Sequence, residues 1–227
     1  MIETTPSPST VGPPRPRHPT RLVRQVGTPP AADSLGPRLL DVVANAASVR
    51  QFLQSYRNEV LGPVEMPVLL RAYRHAAAFE VRELIALDAS LRQESRLAAY
   101  GAASQAVGRS QLRRLLPLRD QRLIRRYWQA VLSGHAHAWH PVVYGVVMAL
   151  FSLPVRTGLG HYARKTLDGF IRSAGTRMPL GESNRDNLLA ECAAAVPPLV
   201  ERTLAAEPVS IVPCTLPLPF LTSPTGR

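Results

Sequence analysis

The stretch GHAHAWHPVVYGVVMALF, Gly134 to Phe151, decides the fold class. From Val142 to Leu153 the residues are apolar on nearly every side of a helical wheel, not along one stripe. A helix of that kind must be surrounded by other elements, so it sits at the centre of the molecule. Pro141 disfavours α geometry at the residue before it and suits the first position of a helix. The stretch therefore reads as a loop through Gly134–His140 followed by a buried helix, with Gly145 permitting close packing and Pro154 ending it.

Around this centre the apolar spacing is helical throughout. Leu39, Val42, Val43, Ala46, Val49, Leu53, Tyr56 and Val60 step by three or four along one face, and Gly62-Pro63 reads as the end of that helix. Pro67 opens the next, with Val68, Leu69, Ala72 and Tyr73 inward. Val81, Leu84, Ile85, Asp88 and Leu91 begin a third, running to about Tyr100-Gly101. Val107, Leu112 and Leu115 mark a fourth, stopped by Pro117. Leu123, Tyr127, Ala130 and Val131 mark a fifth, stopped by Ser133-Gly134. A further helix follows from about Val155 to Arg177. The last is read as capped by Ser183, with Asp186 three residues on, and as kinked or split by Pro197-Pro198. No segment alternates as a half-buried strand does. The class is all-α, with seven to ten helices and no internal repeat.

Composition sets the limits. Of the 22 prolines, nine lie in residues 1–37 and five in 208–224. Proline fixes φ and removes a donor, so residues 1–34 read as an extended arm and 207–227 as an extended tail. The folded domain is 35–206. Ala and Leu dominate and aromatics make up only 6%, which favours helices. The net charge is +11, and Lys165 is the only lysine. Arginine grips carboxylates and phosphates with two prongs, so an acidic protein surface or a nucleic acid fits as partner. Cys192 and Cys214 form no CxxC pair, no apolar leader opens the chain, and no run is long and apolar enough to span a membrane. A soluble, reducing, cytoplasmic setting is expected.

Chemistry-bearing patterns are few. His137 and His140 have the i,i+3 spacing that puts two ligands on one helical face, and His135 lies two residues earlier. The three could meet a nickel or zinc ion, but no Asp, Glu or Cys stands close by in sequence to complete a shell, so loop and capping roles are the expectation. No phosphate-binding loop, dinucleotide fingerprint, nucleophile elbow or H-E-x-x-H is present, and no enzyme is expected. The segment GRSQLRRLLPLRDQRLIRRYWQ holds seven arginines against Asp120. Arg122, Arg125 and Arg126 share a helical face, opposite Leu123 and Tyr127. That face reads first as a docking surface for an acidic protein. The alternative is an arginine-rich nucleic-acid binder, with Tyr127 and Trp128 as stacking surfaces.

Four segments in order resemble the UreF family of urease accessory proteins. RMPLGESNRDNLLAE at 177–191 is similar to that family's signature near the C-terminal third, through Pro179, Leu180, Gly181, Ser183, Leu188 and Leu189. Glu182 and Asp186 replace its two usual glutamines. HPVVYGVVMALFSLP at 140–154 resembles the family's H-P-x-V-x-G helix, carried by His140, Pro141 and Gly145. LRQESRLAAYGAASQAV at 91–107 resembles its R-x-E-S-x-x-x-G segment, and VRQFLQSYRNEVLGPVEMPVLLRAYRHA its helix followed by an acidic residue and a Pro-Leu-Leu-like turn. Both ends depart from the family pattern, which implies a divergent member. The resemblance implies a non-catalytic all-α protein with no cofactor of its own, which dimerises, binds a UreD/UreH-type accessory protein, recruits the UreG-type GTPase and serves nickel delivery to the urease apoprotein. It places Tyr162 on a helix associated with dimer and partner contacts.

Overall fold

The computed structural model describes residues 45–117 and 122–206. The Pro-rich arm, the tail, Leu39, Val42, Val43, Arg119 and Asp120 lie outside them. Among the described residues there is no strand, and the α-helices are α1 (Ala46–Tyr56), α2 (Met66–Ala77), α3 (Val81–Ser90), α4 (Gly101–Leu115), α5 (Arg122–Leu132), α6 (His140–Leu150), α7 (Val155–Arg177) and α8 (Glu182–Ala206). The all-α class holds, with the helix number inside the expected range.

The apolar-all-round stretch becomes α6, and Pro141 through Met148 are buried without a break. Its main neighbour is α2, with α4, α3 and α7 also against it, while α7 and α8 pair alongside. Gly145 sits where α6 crosses α2. A Cβ there would lie 2.6 Å from the Leu69 carbonyl oxygen and 2.8 Å from the Tyr73 nitrogen. The close approach expected from this glycine is present, and it is backbone against backbone.

Five boundaries differ from the sequence expectation. The buried helix α6 ends at Leu150, with a turn at Phe151 and Ser152, and Pro154 caps the start of α7 instead of ending α6. Gly62-Pro63 does not end the first helix. The chain continues from α1 through a π-helical segment, Arg57–Glu65, straight into α2. Pro63 lacks the N–H that α winding needs and its ring would strike the carbonyl four residues back. Wider i→i+5 winding, as in the Met66 N–H bond to the Leu61 carbonyl, avoids both. The third helix stops at Ser90. Two 3-10 turns, Leu91–Gln93 and Ser95–Leu97, follow it, and Gly101 begins α4 instead of ending α3. Ser183 is not a cap: it lies in the first turn of α8, whose Arg185 N–H bonds to the Gly181 carbonyl. Pro197-Pro198 does not split α8, which runs through both prolines. The capping box that the structure does contain is Asn45 with Ser48, at the start of α1.

Among the described residues, three that are not glycine adopt left-handed backbone: Phe79, Ala138 and Ser152, with φ of 57°, 57° and 50°. They mark the turns after α2, before α6 and after α6.

Candidate functional site

Among the described residues two carboxylates are buried, and they organise the interior. Asp88, on the inward face of α3, is fully buried. It accepts hydrogen bonds from the backbone N–H of His137, from that of Trp139 at 3.0 Å and from the Tyr127 hydroxyl at 2.6 Å. Burial raises its pKa, and these three donors oppose the shift. The histidine-rich loop is thus fastened by its backbone. Ala138, at its left-handed corner, puts its carbonyl 1.9 Å from where a Cβ on Gly108 would be, so the loop lies directly on α4.

The imidazoles go to separate places. His135 is exposed, with Nδ1 2.8 Å from the Ser133 hydroxyl. His137 is half-buried beside Asp88. The His140 ring packs against Tyr162, 5.0 Å between centroids, and edge-on to Tyr144 at 6.1 Å. Burial pushes its pKa down to about 4, so it is neutral. Among the described residues no group of three or more His, Cys, Asp or Glu side chains is placed to hold a metal ion.

Glu65 is the second carboxylate. It ends the π segment, is 4% exposed, and accepts from the Tyr56 hydroxyl at 2.7 Å and from Tyr162. The winding makes the first bond possible. Nine positions of α-helix are two and a half turns, which would put Tyr56 and Glu65 on opposite sides. At roughly 4.4 residues per turn, the i→i+5 winding brings them back onto one side. With Tyr100, His140 and Phe170 they line a cavity of about 60 Å³. In the sequence Glu65 is the acidic residue before the Pro-Leu-Leu-like turn of the family resemblance, set between Val64 and Met66, and neither pattern assigns it a role.

Burial raises the Glu65 carboxyl to about 7, against the two tyrosine hydrogen bonds. The folded chain therefore holds this proton more tightly than the unfolded chain. Stability is full below about 4.5 and falls as pH rises toward 7, by about 3 kcal/mol in total. Glu65→Gln should match the wild type at pH 5 and exceed it by about 2–3 kcal/mol at pH 8. His140 acts in the opposite direction, losing stability as pH falls from 6.5 toward 4, but it is common to both proteins and cancels in their difference. Parallel urea-unfolding profiles for the two proteins across that range would exclude the assignment.

The arginine helix has the expected sidedness. Arg122, Arg125 and Arg126 are exposed on α5, while Leu123, Ile124 and Tyr127 are buried. The stacking surfaces of the nucleic-acid alternative are not free: Tyr127 is buried with its hydroxyl on Asp88, and Arg113 covers the ring of half-buried Trp128 at 5.6 Å. Tyr162 is 2% exposed and lies inside the chain. Pro179, Gly181 and Ser183 are exposed and Leu180 half-buried at the turn between α7 and α8.

A family model described as UreF matches residues 43–193. The chain belongs to the UreF family. The matched span runs from α1 into α8 and includes Glu65, Asp88, His140, Gly145 and Tyr162. Among curated relatives, the urease accessory protein UreF of Sporosarcina pasteurii is 21% identical over 142 residues, 63% of this chain and 70% of the relative. The urease accessory protein UreF of Rhodopseudomonas palustris (strain BisA53) is 24% identical over 182 residues, 72% of this chain and 68% of the relative. The segments that resemble the UreF family occupy structural joints: His140-Pro141 starts the buried helix, and Glu94, in the R-x-E-S segment, is gripped by Arg96 with two side-chain bonds of 2.8 Å. No described helix is long and apolar enough to cross a membrane.

Proposed function

We propose that this chain is a urease accessory scaffold without chemistry of its own, acting in the cytoplasm. In this reading it dimerises, binds a UreD/UreH-type accessory protein, recruits a UreG-type GTPase and helps present nickel, as cargo, to the urease apoprotein. The observation that carries the reading is the UreF match over residues 43–193. The physical support is the face of Arg122, Arg125 and Arg126, which suits an acidic partner. Tyr162 serves from within, holding α7 to Glu65 of the π segment.

The test is co-purification with a UreD/UreH-type partner by gel filtration. Co-elution is expected, and elution of the chain alone under all conditions would overturn the reading. Replacing Arg122, Arg125 and Arg126 by serine is expected to slow association about tenfold at low salt and much less at high salt. The melting temperature should barely move, because all three side chains are exposed. Stopped-flow fluorescence measures the rate.

A further inference from the structure

The cavity at Glu65 has a mouth and a floor. Tyr100, Ser104, Thr166 and Gly169 are half-buried and form its open side between α4 and α7, while Tyr56, Glu65, Tyr162 and Phe170 are buried. Three aromatic rings stand around it at steep angles. Tyr56 and Tyr100 are 5.0 Å apart between centroids with their planes at 69°, Tyr56 and Phe170 4.7 Å at 64°, and Tyr100 and Phe170 6.4 Å at 75°. Planes so inclined bound a space on three sides, and a ring face carries the negative lobe of its quadrupole. A cation within about 6 Å of such a face is attracted, more strongly once it has left water.

The acid on the floor selects the same charge. Glu65 is bound by two tyrosine hydroxyls, and no arginine or lysine is among the residues that line the cavity. A buried carboxylate without a cation favours its neutral form, which is the cause of the rise to about 7. An anion would meet that carboxylate and the ring faces, and both repel it. A divalent metal would find one carboxylate and the neutral imidazole of His140, and among the described residues no group of three or more such ligands is gathered. A primary ammonium suits every wall. Its N–H groups donate to the Glu65 carboxylate and to the hydroxyls of Ser104 and Thr166, and its carbon lies against the rings. One water needs about 10–15 Å³ of such a space, so 60 Å³ admits about four atoms of that size. Methylammonium fits, and so does the tip of a lysine side chain.

We infer that this cavity binds a primary alkylammonium ion among the rings of Tyr56, Tyr100 and Phe170, with the Glu65 carboxylate as its counter-ion. The site does not depend on which proteins the chain docks. The cation and a proton compete for one carboxylate, so binding releases the proton and tightens as pH rises. The other titratable groups around the carboxylate keep their states near neutral pH. Tyr56, Tyr100 and Tyr162 stay protonated and His140 stays neutral. Glu59 adds a second negative charge near Tyr100. An alkylammonium remains charged throughout, as lysine does.

The test is a titration of the full chain with methylammonium chloride at constant ionic strength, followed by the amide NMR shifts of Ser104, Thr166 and Gly169. Saturable shifts are expected at pH 8. Affinity should be about tenfold weaker at pH 6, because Glu65 passes from mostly ionised to mostly protonated over that interval. Sodium acetate, of similar size and opposite charge, should not bind. The deciding variant is Glu65→Gln, which should abolish binding while the fold stays at least as stable as the wild type from pH 5 to pH 8. Tyr100→Leu removes one ring at the open side and should weaken binding about fivefold. A blocked tripeptide with a central lysine separates two sources: tighter binding than methylammonium assigns the site to a partner's lysine, and weaker binding assigns it to a free amine. No saturable shift in the wild type, equal affinity at the two pH values, equal binding of acetate, or unchanged affinity in Glu65→Gln or in Tyr100→Leu would each overturn the inference.

Discussion

Asp88→Ala is expected to cost about 3–5 kcal/mol of unfolding free energy, seen as a lower urea midpoint with an unchanged slope. The carboxylate is the shared acceptor for two backbone N–H groups and a tyrosine hydroxyl. All three arrive from outside its own helix, and alanine leaves them facing an apolar space. Each unsatisfied buried donor costs about 1–3 kcal/mol, less where the loop can open to water. His137 is half-buried, so its N–H is the one that water can reach. Asp88→Asn keeps the volume but offers one carbonyl oxygen and two donors to a site that has only donors, so it should recover a minor part of the loss. Tyr127→Phe removes one of the three bonds and should cost about 1 kcal/mol. If Asp88→Ala unfolds within 1 kcal/mol of the wild type, the loop is held by something else.

Gly145→Ala is expected to destabilise by about 3 kcal/mol net, although alanine's helix propensity returns roughly 1 kcal/mol. The added carbon meets the Leu69 carbonyl oxygen at 2.6 Å, and the Ala72 Cβ and Tyr73 nitrogen both at 2.8 Å. Two of these are backbone atoms of α2, which no rotamer change can move. α2 and α6 must separate along the most extensive helix–helix contact among the described residues, and a close-packed interior has no slack to absorb that. Gly175→Ala is the control. Gly175 is exposed in α7, and a Cβ there meets nothing within 4 Å. The same chemical change should stabilise there by up to about 1 kcal/mol. Equal signs at the two positions, by thermal unfolding, would refute the account of Gly145.

What could be read from sequence follows from how local each cause is. The buried helix was legible because burial on all sides shows in the residues themselves, whatever surrounds them. Gly145 was legible for the same reason: a glycine inside a strong helix needs a neighbour to justify it. The sidedness of α5 followed from spacing alone. Asp88 stood in an apolar stripe as a visible exception, but its donors lie 39 to 51 residues away, and no local pattern names them. Glu65 was hidden twice. Its partners are distant or, for Tyr56, misplaced by any α-helical wheel. Gly62-Pro63 is the usual sign of a helix end, and here the chain adopts another winding instead, because both flanks are held in the core by Tyr56 and Met66.

That winding has a consequence for chain length. Removing one residue between Arg57 and Glu65 turns everything downstream by about 80° about the helix axis, one residue's share of a turn in this wider winding. The acid would leave its tyrosine, and the carbonyl of Leu69 would no longer face Gly145. A relative shorter or longer by one residue at this point has therefore changed its interior and not merely its length. A gap placed here in any comparison of such chains marks a rebuilt core.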